Sequence, residues 1–230
     1  TFIKDRNENV KVGLVGAGQM GQGIVAQVSK MYGVELVCII DRNQKQLDSA
    51  VNRYKKYKEN ELLCSDSISA LDNVDLDIVI EATGTPAAGA LVAKNVLNRG
   101  INLILLNVET EATIGLALRE EAEKNGAIVT VADGDEPVAA LDLYNFATEL
   151  SFEVISIGKG KNNPFDVFAT PSSLEKEAAS KKMNPKMLTS FVDGSKTMVE
   201  MAALANFLNF QIDIDGMHGI EATYENINEY

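Results

Sequence analysis

The residues that most limit what this chain can become follow its first apolar run: Gly16-Ala17-Gly18-Gln19-Met20-Gly21, directly after VKVGLV at 10–15. At a strand-to-helix joint each glycine of this spacing has a physical reason. Gly16 permits the tight turn, Gly18 lets backbone approach a ligand phosphate, and Gly21 lets the helix lie close on the strand. The helix opening there points unsatisfied N–H groups and the positive end of its dipole at the same spot. Twenty residues after Gly21, Asp41 ends a second β-branched run, VELVCIID, where a carboxylate can accept hydrogen bonds from an adenosine ribose. The combination predicts a dinucleotide seat, with Gly16, Gly18, Gln19, Met20 and Gly21 at the pyrophosphate and Asp41 and Arg42 on the adenosine side. The plainer alternative is a tight turn followed by a helix that Asp41 caps. Asp41 favours the free 2′-hydroxyl of NAD, whereas Arg42 can pair with the 2′-phosphate of NADP or stand as a solvated cation. The cofactor is therefore expected to be NADP or NAD.

The rest of the first half repeats the same alternation. Apolar runs at 10–16, 34–41, 61–66, 76–83, 101–107 and 127–133 alternate with helical spacings at 19–32, 43–58, 86–99 and 110–125. Strand, crossover and strand in this order predict a doubly wound parallel sheet of the α/β Rossmann class. A helix over about 137–150 then leads into the strand-like FEVISIG at 152–158, and a long helix is expected over about 184–208. The expected organisation is a dinucleotide-binding domain at 1–140 and a smaller α+β domain at 141–230 for substrate and dimer contacts.

Loops at the carboxyl ends of parallel strands carry ligands in such a sheet. Ala82-Thr83-Gly84-Thr85-Pro86 follows the fourth strand, and its small residues put Thr83 and Gly84 beside the nicotinamide. Asn107 and Glu109 follow the fifth strand; they either reach the site or cap a helix and favour its dipole. After the sixth strand, Asp133, Asp135 and Glu136 cluster before Pro137, either as oxygen ligands for a divalent cation or as helix-initiating residues. The metal requirement stays open.

Residues 151–196 hold Lys159, Lys161, Lys176, Lys181, Lys182, Lys186 and Lys196, and no Arg. This stands out because the whole chain has 21 Lys and Arg against 33 Asp and Glu, a formal net charge of −12. That balance argues against general nucleic-acid binding, while a local cationic funnel would draw in a small anionic substrate. Lys159 and Lys161 are the preferred catalytic pair, with Glu109 and Asp135 assisting. Asn107, Lys181, Lys182, Ser190 and Lys196 are candidate substrate contacts. A solvated basic surface is the alternative. The single His218 reads as structural, since no Ser or Cys in a triad-like setting accompanies it. Met198, Met201, Leu204 and Leu208 share a helical spacing that suits core or subunit packing.

Cys38 and Cys64 lie in apolar strand-like runs and read as free thiols in a reducing, cytoplasmic compartment. No apolar run reaches the roughly 18–20 residues that span a bilayer, so no membrane segment is expected. The termini show neither an initiator Met nor a signal pattern, and the chain reads as a piece of a longer protein.

The segments VGLVGAGQMGQG, EATGTP, NVETEATIG, VADGDEPVA, IGKGKNNP and SFVDGSKTMVEMAALAN, which together span about 10–210, resemble the homoserine-dehydrogenase-like oxidoreductases. The closest likeness is to their branch of deoxyxylulose-phosphate reductoisomerase-like enzymes. The resemblance implies an N-terminal Rossmann domain and a middle domain that supplies substrate residues and a dimer or higher homo-oligomer contact. In longer members it implies a C-terminal SAF-type domain, not found here. Homoserine dehydrogenases use lysines near the domain junction for proton transfer, and Lys159 and Lys161 occupy the matching neighbourhood. GKGKNNP departs from the Gly-Thr-Asn stretch of homoserine dehydrogenases proper, and the branch implies instead a small phosphorylated or carboxylated sugar-like substrate. Two alternatives remain: homoserine dehydrogenase itself, and a dinucleotide-sensing protein without catalysis.

Overall fold

The computed structural model describes residues 8–161, 163–181, 183–218 and 220–229. The chain divides into two compact units between Asp135 and Glu136.

The first unit is a parallel sheet with helical crossovers. Its elements are β1 (Val10–Val15), α1 (Gln19–Val28), β2 (Val34–Ile40), α2 (Gln44–Tyr54), β3 (Leu63–Ser65), β4 (Ile78–Glu81), α3 (Pro86–Leu97), β5 (Asn102–Leu105), α4 (Val108–Lys124) and β6 (Val129–Val131). A 3-10 turn at Ile68–Asn73 replaces a helix between β3 and β4. The six strands run in the order β3-β2-β1-β4-β5-β6, all parallel. The order reverses between β1 and β4, so their carboxyl ends flank the crevice where an open α/β sheet takes its ligand. All six sequence-predicted strands are present, each shortened at one or both ends.

The central strands are apolar because both faces of the sheet are covered there. One face packs Val79, Leu103 and Leu105 against Val92, Val96 and Leu97 of α3 and Leu118 and Ala122 of α4. The other packs Leu14, Leu36 and Ile39 against Val25 and Val28 of α1 and Leu47, Ala50 and Tyr54 of α2. Full burial of each large aliphatic side chain contributes about 1.5–3 kcal/mol. Tyr54 enters this core with its polar end satisfied: its hydroxyl accepts the Leu36 N–H at 2.8 Å and donates to Asn60 Oδ1 at 3.0 Å. Gly89 is required where α3 crosses α4, since a Cβ there would lie 2.2 Å from Thr110 Oγ1.

The second unit differs from expectation in two ways. Its helices are α5 (Glu136–Glu149), α6 (Glu175–Ser180), α7 (Pro185–Val192) and α8 (Ser195–Leu208). Residues 152–158 form no strand, and among the described residues this unit holds no strand at all, so it is helical rather than α+β. The apolar run FEVISIG finds no partner strand, and Phe152 and Ile155 stay exposed. The helix expected over 184–208 is broken at Gly194, which takes φ +84°. There Asp193 Oδ1 accepts the Ser195 N–H at 2.8 Å and starts α8 afresh. No helix among the described residues is long and apolar enough to cross a membrane.

Candidate functional site

Gly16 takes φ +99°, a left-handed conformation that a Cβ disfavours. A side chain there would also stand 2.5 Å from the Ala82 carbonyl oxygen, so the glycine turn lies against the loop after β4. Gly21 packs as closely: its Cβ would be 2.0 Å from the Gly16 carbonyl oxygen. Gly18 and Gly84 are the reverse, with no protein atom within 4 Å of an added Cβ. Open space therefore lies over the two glycines that the sequence assigns to the pyrophosphate and the nicotinamide. Gln19 and Met20 are exposed in the first turn of α1, whose cap residue Gly18 offers no side-chain bond to the free N–H groups.

Asp41 does not cap α2. Asn43 does, accepting from the Lys45 and Gln46 N–H groups. Asp41 instead accepts the Ala17 N–H through Oδ2 at 2.6 Å and the Asn43 N–H through Oδ1 at 2.7 Å. A carboxylate has about four acceptor positions, so capacity remains for ribose hydroxyls. Arg42 is exposed beside it.

At the next strand ends the polar groups bond one another. Asn107 caps α4 by accepting the Thr110 N–H at 3.2 Å and donates to the Thr85 carbonyl at 2.9 Å, which ties the loop after β4 to β5. Glu109 follows in the first turn of α4. The residue that sequence reasoning passed over is Glu81, the last residue of β4 and fully buried. Its Oε1 accepts both the N–H of Thr83, at 2.8 Å, and the Thr83 hydroxyl. Burial pushes its carboxyl above the usual range, although Thr83 and Asn107 favour the charged form. The available signal was an acid inside LDIVIEAT, a run otherwise fit for burial on both faces.

In the second unit, Glu200 of α8 is buried at 1% exposure between two lysines. Lys159 Nζ bonds its Oε2, Lys196 Nζ lies 3.6 Å from its Oε1, and Lys159 also meets Glu136 Oε1 at 2.9 Å. Burial opposes the charge on Lys159, but the hydrogen bonds it donates to Glu200 and Glu136 win and raise its pKa. Lys161 differs: it donates to the Asn163 and Pro164 carbonyls at 2.8 and 3.0 Å, and burial lowers its pKa despite the attraction of Asp193. Lys159 is thus held as a cation, while Lys161 releases its proton more readily.

Lys181 and Ser190 are engaged in local contacts of their own. Lys181 is exposed and paired with Glu177 at 2.7 Å, the Ser190 hydroxyl donates to the Met187 carbonyl at 2.7 Å, and Lys182 lies outside the described residues. Asp135 closes the first unit beside Gly134. His218 pairs with Asp213 at 2.8 Å on the surface. Cys38 is buried and Cys64 exposed, both as free thiols.

A sheet reversing between β1 and β4, with an open glycine turn at that point, defines a dinucleotide-binding α/β domain. Residues 16–132, half of the chain, match the family described as the homoserine dehydrogenase NAD-binding domain, and the chain belongs to that family. Residues 134–230 match the catalytic domain of the oxidoreductase DRL. Among solved structures the chain is similar to the WlbA dehydrogenase of Chromobacterium violaceum, crystallised with NADH and UDP-GlcNAcA. The TM-score is 0.51 at 21% identity, covering 63% of this chain and 41% of that one. An oxidoreductase of Agrobacterium radiobacter with NAD+, L-tartaric acid and magnesium also scores 0.51, at 14% identity over 62% of this chain and 41% of that one. The WlbA dehydrogenase of Bordetella pertussis, again with NADH and UDP-GlcNAcA, scores 0.50 at 21% identity over 63% and 44%. These likenesses concern the fold, and the chain spans about two fifths of the length of those proteins. No curated protein matches it.

Proposed function

We propose that the chain is the core of an NAD(P)-dependent oxidoreductase that transfers a hydride between nicotinamide and a small anionic carbonyl or alcohol. The observation that carries this reading is the pairing of open space over Gly18 and Gly84 with the switch point of an NAD-binding sheet. Gly16, Gly18 and the free N–H groups of α1 would hold the pyrophosphate. Asp41 would take the adenosine ribose, with Arg42 deciding between NAD and NADP, and Thr83 and Gly84 would border the nicotinamide. When bound, the carrier supplies the electron-pair donor or acceptor.

The second unit would supply the substrate side, a role its match to an oxidoreductase catalytic domain supports. Lys159, held as a cation by Glu200 and Glu136, and Lys196 on the other side of Glu200 suit binding of a phosphate or carboxylate. Lys161, with its lowered pKa, suits giving or taking the proton that accompanies hydride transfer. Glu109 and Asp135 remain assisting candidates, and Asn107, Lys181, Lys182 and Ser190 candidate substrate contacts. The finer proposal is a phosphorylated or carboxylated sugar-like substrate in a reductoisomerase-like reaction. Exposed Leu143 and Phe146 on α5, with exposed Leu150 just beyond it, would supply apolar surface for assembly as a homodimer or larger oligomer.

Calorimetric titration with NADH and NADPH tests the reading, followed by turnover of a panel of small anions by wild type and Lys161→Ala. Binding of one carrier, with K161A lowering the rate at saturation, is the expected result. Absence of heat with either carrier would overturn it.

A further inference from the structure

Glu81 joins the two loops that would enclose the dinucleotide. It pairs with Val15 in the register of β1 and β4, so its side chain stands at the strand end from which the glycine turn departs. The next residue, Ala82, is the one against which Gly16 packs. Both hydrogen-bond donors of Thr83, its N–H and its hydroxyl, are spent on Glu81 Oε1. Oε2 is buried without a hydrogen-bond partner among the described residues. The Asn107 amide nearby donates to the Thr85 carbonyl at 2.9 Å and also favours the charged form of Glu81. A carboxylate left in this state is costly, because burial outweighs the help that Thr83 and the Asn107 amide give its charge.

Among the described residues no cation acts on Glu81. Residues 16–28, covering the glycine turn and α1, contain no charged group, and neither do residues 82–93. Lys94 lies in the last turn of α3. Glu109 on α4 repels the carboxylate, Glu111 is paired with Arg119, and Asp41 at the end of β2 is a further anion bonded to the glycine turn. A pyrophosphate arriving at Gly16–Gly21 brings two more negative charges to the same strand ends.

Building on the dinucleotide reading, we propose that Glu81 is a positioning residue acting through Thr83, and that its carboxyl takes up a proton from solvent when the dinucleotide binds. The neutral carboxyl still accepts both Thr83 bonds through Oε1, so the loop keeps its shape while the repulsion disappears. The Thr83 hydroxyl, its hydrogen committed to Glu81, then faces the ligand as an acceptor, which suits the amide N–H of a carboxamide.

The test is calorimetry of NADH binding to the whole chain in buffers of different ionisation enthalpy across neutral to alkaline pH. NADH is chosen because its pyrophosphate does not titrate there. Wild type should take up a fraction of a proton and lose affinity as pH rises, by at most about tenfold per unit for a single linked proton. Glu81→Gln, which keeps the Oε1 acceptor, should bind with no uptake and a flat pH profile. Should that variant fail to fold, the infrared band of the protonated carboxyl in the wild type should gain intensity on loading. NADH binding without proton uptake, equal uptake in E81Q, or an unchanged infrared band would overturn the proposal while leaving the cofactor reading intact. Absence of NADH binding at every pH would instead remove the cofactor reading and this proposal with it.

Discussion

The carboxylate of Asp41 accepts the backbone N–H of Ala17 at 2.6 Å, so the acid just after β2 holds the glycine turn in addition to its proposed place at the adenosine ribose. Asp41→Asn should therefore loosen the turn in addition to weakening ribose recognition. Hydrogen bonds to charged groups contribute about 1.5–3 kcal/mol, and a loss of about tenfold or more in NADH affinity is expected by titration. An unchanged dissociation constant would mean that neither contact matters to binding.

Two glycines of the same turn should respond oppositely to alanine. Gly21→Ala drives a Cβ to 2.0 Å from the Gly16 carbonyl, and overpacking of this kind costs about 1–3 kcal/mol. Gly18→Ala meets no protein atom within 4 Å; it should keep wild-type stability in urea and lose dinucleotide affinity through contact with the ligand alone. Equal destabilisation by both would contradict the packing described.

Glu200 is buried between Lys159 and Lys196. Glu200→Ala should destabilise the second unit by about 2 kcal/mol, below the 3–5 kcal/mol of a fully buried pair because Lys159 keeps contact with water and Glu136. Lys196→Ala should cost less, since Lys159 still holds Glu200. Urea unfolding of both variants gives the ranking.

The raised pKa of Glu81 sets a sign for stability against pH. The folded chain binds this proton more tightly than the unfolded chain, whose carboxyl titrates near 4.5. Stability contributed by this group is therefore greatest at low pH and declines as pH climbs from that value through the raised one. Glu81→Gln should flatten that part of the profile in thermal melts, and an unchanged slope would assign the dependence elsewhere.

Burial pushes the Cys38 thiol up to about 12, while Cys64 is exposed. A thiol reagent should modify Cys64 on the native protein and reach Cys38 only on unfolding. Two equally fast labels would show that β2 opens readily.

The glycine spacing and the alternation of β-branched and helical segments were enough to define the Rossmann sheet, because local backbone geometry and two-sided burial impose those patterns on the sequence itself. Asp41 and the loop after β4 were legible for the same reason, since strand ends in such a sheet have known positions. The second unit was not legible in this way. FEVISIG has strand composition but no strand to pair with, and an unpartnered run does not become a sheet. Gly194 broke a helix whose apolar spacing continues across it, because a left-handed residue there lets Asp193 cap a new start. The surroundings of Glu81, Lys159 and Lys161 were also decided only in three dimensions. A side chain's charge state depends on what desolvates it and what bonds it, and those neighbours, such as Glu200 for Lys159, lie far away along the chain.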